Sequence, residues 1–395
     1  MLVTIILAAL ISGILLVTAL LSLNFTVAGG LINGFIFYAN IVAASESALF
    51  SFSERGFPKV FVAWINLDIG FDVCFIEGLD AYTKTWLQLA FPVYIICLVI
   101  LVIVVSEYFP KFSTLIGKRD PVATLATLIL LSYAKLLSIT ITVLSFAVLR
   151  YPDGRQEVVW LPDGTVNYFQ GKHVALVILS LLIILVGVPY TILLFLWQWL
   201  VRAPKWKVFK WTRNTKLNAF ISTYHAPYNS KYRYWTGLLL LVRVVLYITA
   251  SVTVSTDPQV SLLMTIVLVG ALLFLKELKG MRVHSNLFVD IVSTVMYFNL
   301  LAFAAFSLYN FSDITKQRAV AYISTIITFI LLVGVVVYHL TLLIKEEKTS
   351  KNLNEYPLAQ IQPTTSKITH TVVEIPKPQY PPPESSNDER LHDQW

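Results

Sequence analysis

The sequence predicts an all-α fold: a polytopic transmembrane helix bundle of about nine spans, with a small extracellular β-hairpin and a disordered C-terminal tail. Three observations carry this. Nearly uncharged apolar blocks of 18 or more residues recur along the chain, and each, as a helix, matches the roughly 30 Å hydrocarbon core of a bilayer. Only 13% of the 395 residues are charged and 56% are hydrophobic, whereas a soluble domain carries about 25% charged residues. The basic residues behind the net charge of +7 cluster between the apolar blocks, which is the positive-inside bias of cytoplasmic loops and not the pattern of a nucleic-acid surface.

By length and lack of charge the spans fall at 2–23, 87–106, 121–149, 173–201, 235–254, 259–276, 287–310 and 319–344. The first lacks a basic n-region and is too long for an ordinary signal peptide, so it reads as a retained span. Block 27–44, VAGGLINGFIFYANIVAA, is shorter and glycine-rich. It is either a ninth span or a re-entrant segment, and Gly29, Gly30 and Gly34 would let its backbone approach a neighbour. Residues 1–86 thus hold a first span, this block and an acidic extracellular link, 87–345 form a seven-helix core, and 346–395 are the tail.

The acidic link sets Asp68, Asp72, Glu77 and Asp80 against Lys84. Such a cluster concentrates cations at an outer mouth or is simply a solvated face, the commoner case. Its spacing is not that of an EF-hand. In the 121–149 block, Thr124, Thr127, Ser132, Lys135, Ser138, Thr142 and Ser145 share an arc of roughly 140° at about 100° per residue. A mid-membrane cation costs about 2.5–3.5 kcal/mol on insertion scales and marks a pathway by default. Lys135 with Thr127, Ser132, Ser138 and Thr142 therefore forms a candidate pathway lining. The competing reading is a lysine satisfied by Ser132, Ser138 or a carbonyl.

The link 150–172 carries YPDG and LPDG with QEVVW and TVNYF around them; turn chemistry beside β-branched and aromatic residues predicts a hairpin. Pro189 beside Gly187, and Pro92, predict kinks. Trp86, Trp197, Trp199 and Trp235 stand at span ends as interfacial anchors. The link 202–234 holds eight basic residues and no acid, so it is cytoplasmic. Alternation then places Lys111, Lys118, Arg119, Lys276, Lys279, Arg282 and the tail on the same side. The N-terminus is outside if 27–44 crosses and inside if it does not.

Arg243 lies about 12 Å into its span and Asp290 about one turn into its own, which makes them an ion-pair candidate, with a structural lock the favoured role. The tail contains PKPQYPPP, whose Pro378 and Pro381 fit an SH3-type groove, although a solvated tail is the simpler reading. Cys74 and Cys97 cannot build a disulfide framework. Walker, GxSxG, HExxH and Cys/His metal spacings are absent from the sequence, and His173, His225, His284 and His339 are scattered. No catalytic residue, metal or cofactor is expected, and no enzyme.

Four stretches are more particular than generic membrane sequence: GLINGFIFYANIV (30–42), WINLDIGFDVCFIEGLDAYTKTWLQLAFPVYI (64–95), ATLATLILLSYAKLL (123–137) and YHAPYNSKYRYWTGLLLLVR (224–243). Over about residues 3–345 the chain resembles the C-terminal multi-spanning membrane module of large, uncharacterised surface proteins of early-branching animals and protists. There a cysteine-rich or β-helical ectodomain precedes the module. The chain is more distantly similar to the fungal TRP-like, flavin-carrier-type membrane module. The closer resemblance implies an extracellular N-terminus, hence nine spans, and puts Lys135 and Arg243 in shared motifs. The expected role is channel-like or transporter-like in the plasma membrane; the alternative is a receptor or adhesion anchor without conduction.

Overall fold

The computed structural model describes residues 2–24, 26–49, 80–109, 120–202, 215–253, 258–278, 282–310 and 314–355. The helices are α1 (Leu2–Ser22), α2 (Leu31–Leu49), α3 (Ala81–Tyr108), α4 (Pro121–Leu144), α5 (His173–Arg202), α6 (Thr215–His225), α7 (Trp235–Thr253), α8 (Pro258–Leu278), α9 (Leu287–Tyr309) and α10 (Ile314–Glu355). Strands β1 (Phe146–Arg150), β2 (Gln156–Trp160) and β3 (Asp163–Asn167) stand between α4 and α5. Every predicted apolar block contains a helix. Among the described residues six helices, α3, α4, α5, α8, α9 and α10, are long and apolar enough to cross a membrane, and α1, α2 and α7 are shorter apolar helices. The chain is a multi-pass membrane protein.

Short polar residues set the helix starts. Asp80 accepts from Thr83 N at 2.9 Å to cap α3, and those hydrogen bonds hold its carboxyl below the usual range. Asp120 accepts from Val122 N and Ala123 N ahead of Pro121 to cap α4, and Asn286 caps α9.

The glycine-rich block forms the centre of the bundle. A three-residue 3₁₀ turn, Val27–Gly29, leads into α2, which packs on α7, α8 and α9. Phe37, Tyr38, Ala39, Ile41 and Val42 are fully buried, as expected of a helix apolar on all sides. Lipid offers helices no hydrophobic reason to associate, so shape and interhelical hydrogen bonds must hold them. Phe37 meets Tyr297 edge to face at 5.6 Å, Tyr38 Oη donates to Asn299 at 2.6 Å, and Tyr247 Oη donates to the Asn40 carbonyl at 3.2 Å. Of the three glycines, only Gly30 is crowded: at φ +75°, a Cβ there would lie 2.8 Å from Pro227 Cβ, while one at Gly34 meets ordinary contacts at 3.7 Å and one at Gly29 nothing within 4 Å.

Contacts order the helices by direction. Asn33 reaches Thr236 and Asn40 meets Tyr247, so α2 and α7 run parallel from one end of the bundle. Lys276 bonds Asp290 while Gly270 faces Leu301, so α8 and α9 are antiparallel. α4 begins at the end where Thr127 meets Val27 and Ala126 meets Tyr224, and finishes under the sheet at the opposite end.

Three boundaries differ from expectation. The 121–149 block stops being helical at Leu144, because FAVLR pairs antiparallel with QEVVW, Phe146 opposite Trp160 and Arg150 opposite Gln156. The predicted hairpin is accordingly a three-stranded sheet in the order β1-β2-β3, with a bulge between Val159 and Trp160 where β3 joins. The 202–234 link contains α6, whose Ile221 and Tyr224 are buried. The first ten tail residues, 346–355, continue α10. The proline-rich stretch with Pro378 and Pro381 lies outside the described residues, as do Asp68, Asp72, Glu77 and Cys74.

Candidate functional site

Buried polar groups gather at two levels of the α2–α4–α7–α9 interior. The first is a charged cluster where α8 ends and α9 begins. Asp290 Oδ1 lies 3.2 Å from Lys276 Nζ and 3.0 Å from His284 Nδ1, and it also accepts from His284 N at 3.0 Å. Lys276 donates further to the Asp290 carbonyl at 2.8 Å and to Thr294 Oγ1. The expected Arg243–Asp290 pair is therefore corrected: the carboxylate takes Lys276 and His284, which the α8–α9 connection brings to it.

A short antiparallel contact closes this end. Tyr228 bridges His284, Asn229 N donates to the Val283 carbonyl and Ser285 N to the Pro227 carbonyl. The Tyr228 and His284 rings lie 4.9 Å apart. Burial pushes His284 below the ordinary histidine pKa, against the pull of Asp290. A neutral imidazole donating from Nδ1 to the carboxylate fits both the burial and the distance.

The second level is Arg243, one helix turn beyond Leu239 on α7. It is fully buried, and its guanidinium carbon sits 5.4 Å from the Phe37 ring centroid. Its Nε, Nη1 and Nη2 have no hydrogen-bond partner among the described residues. Five phenols, Tyr133, Tyr190, Tyr228, Tyr247 and Tyr297, stand within electrostatic reach of its charge. A cation–π contact contributes about 0.5–2 kcal/mol, whereas the desolvation of one ion costs on the order of several kcal/mol. The aromatic cage alone does not compensate this charge.

The phenols differ in what they have left to give. Tyr247 donates to Asn40 O. Tyr133 meets Thr191 at 2.8 Å, and since Thr191 donates to Gly187 O, Tyr133 is the donor. Tyr297 accepts from Trp235 Nε1 at 3.3 Å and is a donor in no described hydrogen bond, whereas Tyr228 accepts from Asn33 Nδ2 at 2.9 Å and is also hydrogen-bonded to Thr236, whose own proton goes to Tyr224 O. Burial lifts the Tyr228 phenol to about 12, so it stays protonated.

The predicted hydroxyl face of α4 is less uniform than its arc. Thr127, Ser132 and Lys135 are buried, Ser138 is half-buried and Thr142 is exposed. Thr124, Thr127, Thr142 and Ser145 donate to carbonyls four residues back, at 3.2, 2.9, 2.9 and 2.8 Å. Those protons serve the helix's own backbone. Thr127 Oγ1 also accepts from Val27 N at 3.0 Å, anchoring the turn into α2. Asp80, of the outer acidic cluster, is a helix cap.

Lys276 and His284 were not foreseen as site residues. Their signal was present: a lysine and a histidine flank a link only a few residues before an acid that opens an apolar span. Among the described residues no group of three or more His, Cys, Asp and Glu is placed to hold a metal ion. Comparison with known proteins finds no matching family model, no matching curated protein and no matching solved structure.

Proposed function

We propose that this chain is a nine-span plasma-membrane protein of channel-like or transporter-like function, with the N-terminus outside, the charged-cluster end and C-terminus cytoplasmic, and the route following the polar interior between α2, α4 and α7. One observation carries the reading. Two cations, Lys135 on α4 and Arg243 on α7, are buried on neighbouring helices at mid-bundle depth. Charges inside a membrane segment are rare and mark substrate or ion routes. The orientation rests on the basic links 202–234 and 282–286, which meet at one end of the bundle through Asn229 and Val283. The resemblance to the surface-protein module implies the same orientation.

The test is ionic current after reconstitution of the full chain into planar bilayers. Wild-type protein is expected to pass current above protein-free lipid, and Lys135→Leu to reduce it severalfold. Background current in both proteins overturns the reading and leaves a receptor or adhesion anchor in its place.

A further inference from the structure

We infer that Arg243 is the floor of a binding site for one small monovalent anion, enclosed by Phe37, Tyr228 and Tyr297 at the junction of α2, α7 and α9. The inference rests on the route proposed above and names the class of solute held in it. Its first support is a mismatch of donors and acceptors. An arginine carries five N–H donors and no acceptor, and here none of its three nitrogens has a partner among the described residues, although the side chain is fully buried. The hydroxyl of Tyr297 accepts a hydrogen bond from Trp235, leaving its O–H proton available, while Tyr228 is engaged by Asn33 and Thr236. Unfilled donors on α7 and α9 thus stand within electrostatic reach of one another, and an acceptor-rich guest satisfies them.

The second support is charge. Among the described residues the buried carboxylate is Asp290, and it is held by Lys276 and His284. With His284 neutral, that cluster sums to zero and leaves the Arg243 charge uncompensated. One monovalent anion neutralises it. A divalent anion would leave a net negative charge buried, recreating the same penalty with the opposite sign. Size follows from enclosure: Arg243, Tyr228 and Tyr297 are all buried, and the Phe37 ring covers the guanidinium face. A charged hydrogen bond of the kind a phenol would donate to the guest contributes about 1.5–3 kcal/mol, which is about tenfold or more in affinity.

The experiment uses purified full-length protein in detergent, with radiochloride as the probe and gluconate replacing chloride at constant ionic strength. Equilibrium binding should saturate at one chloride per chain. Tyr297→Phe keeps the ring and removes only the donor, and should raise the half-saturation concentration about tenfold. Arg243→Leu should abolish saturable binding. If Arg243→Leu does not fold, Tyr297→Phe alone decides. Absence of saturable binding in the wild type, or an unchanged half-saturation in Tyr297→Phe, overturns the inference and identifies water as the occupant. Chloride uptake into proteoliposomes separates the two proposals: binding without uptake upholds the site and removes the transport reading, while uptake without saturable binding upholds transport and removes the site.

Discussion

Gly237 and Gly270 both sit in apolar helices, and what stands opposite each decides its tolerance. A Cβ on Gly237 would lie 2.5 Å from Phe195 Cα, so α5 and α7 touch backbone to backbone; a Cβ on Gly270 would reach Leu301 Cδ1 at 3.7 Å, an ordinary contact. Gly237→Ala is expected to destabilise by at least about 1–3 kcal/mol, the scale of overpacking, whereas Gly270→Ala is neutral or mildly stabilising. Thermal unfolding in detergent distinguishes them, and equal effects would mean that the α5–α7 approach is looser than described. His284 makes the second residue-scale prediction. Burial lowers its pKa, so between pH 6.5 and its folded value the unfolded chain binds more protons, and stability falls as pH falls. The loss begins near pH 6.5 with a slope of at most about 1.4 kcal/mol per pH unit for one proton. His225, held to about 4 by burial, acts with the same sign. His284→Asn should flatten the melting temperature between pH 7 and 5.5 without abolishing its slope; an unchanged slope would place the imidazole in water. Depth along two helices predicts an Arg243–Asp290 pair; the path of the link carrying His284 is not visible in the sequence, and it brings Lys276 and His284 to the carboxylate instead.

The end of α4 shows how an element is terminated inside this fold. The last four carbonyls of a helix lack intrahelical donors, and here three side chains answer them. Trp160 Nε1 donates to Thr142 O at 3.0 Å, His173 Nε2 meets Val143 O at 3.1 Å, and Tyr168 Oη donates to Leu144 O at 3.1 Å. The rings of Trp160 and Tyr168 lie tilted against His173, with centroids 5.3 and 5.2 Å away. The sheet is therefore a lid that satisfies a helix end, which explains why helix gives way to strand at Leu144 in an apolar run that composition alone would continue. Trp160→Phe is expected to cost about 0.5–1.5 kcal/mol by removing one of the two hydrogen bonds to the Thr142 carbonyl, which keeps Ser145 N at 3.3 Å; a melting temperature equal to wild type would show that the Trp160 bond contributes nothing. Apolar length fixed the existence of the long helices well, because a bilayer imposes it. It could not see the strand, whose FAVLR differs from span sequence only in its partner. α6 was legible in principle: Leu217, Phe220, Ile221 and Tyr224 recur at helical spacing, and the eight surrounding cations masked the pattern.

At the scale of the whole molecule, the nine apolar helices among the described residues alternate between the sheet end and the charged-cluster end. α1 finishes at Leu23, whose carbonyl meets His339 of α10 at 2.8 Å, and α2 leaves the same end at Gly30 beside Pro227. α9 starts there and ends about 35 Å away at 1.5 Å per residue, so α10 begins at the sheet end and returns, its Tyr338 stacked on Phe288 at 4.9 Å. In this alternating order block 27–44 runs the same course as α7 and α9, which is the course the nine-span proposal requires of it. It makes a sharp prediction for the proposed orientation. In a background without Cys74 and Cys97, Asp153→Cys in the β1–β2 turn should react with an impermeant maleimide on intact cells, and Lys231→Cys ahead of α7 only after permeabilisation. Asn24, in the acceptor sequence NFT between α1 and α2, lies at the Lys231 end and should carry no glycan. A glycan at Asn24 together with labelling of Lys231→Cys on intact cells would invert the molecule, whereas reaction of both cysteines from outside would break the alternation itself.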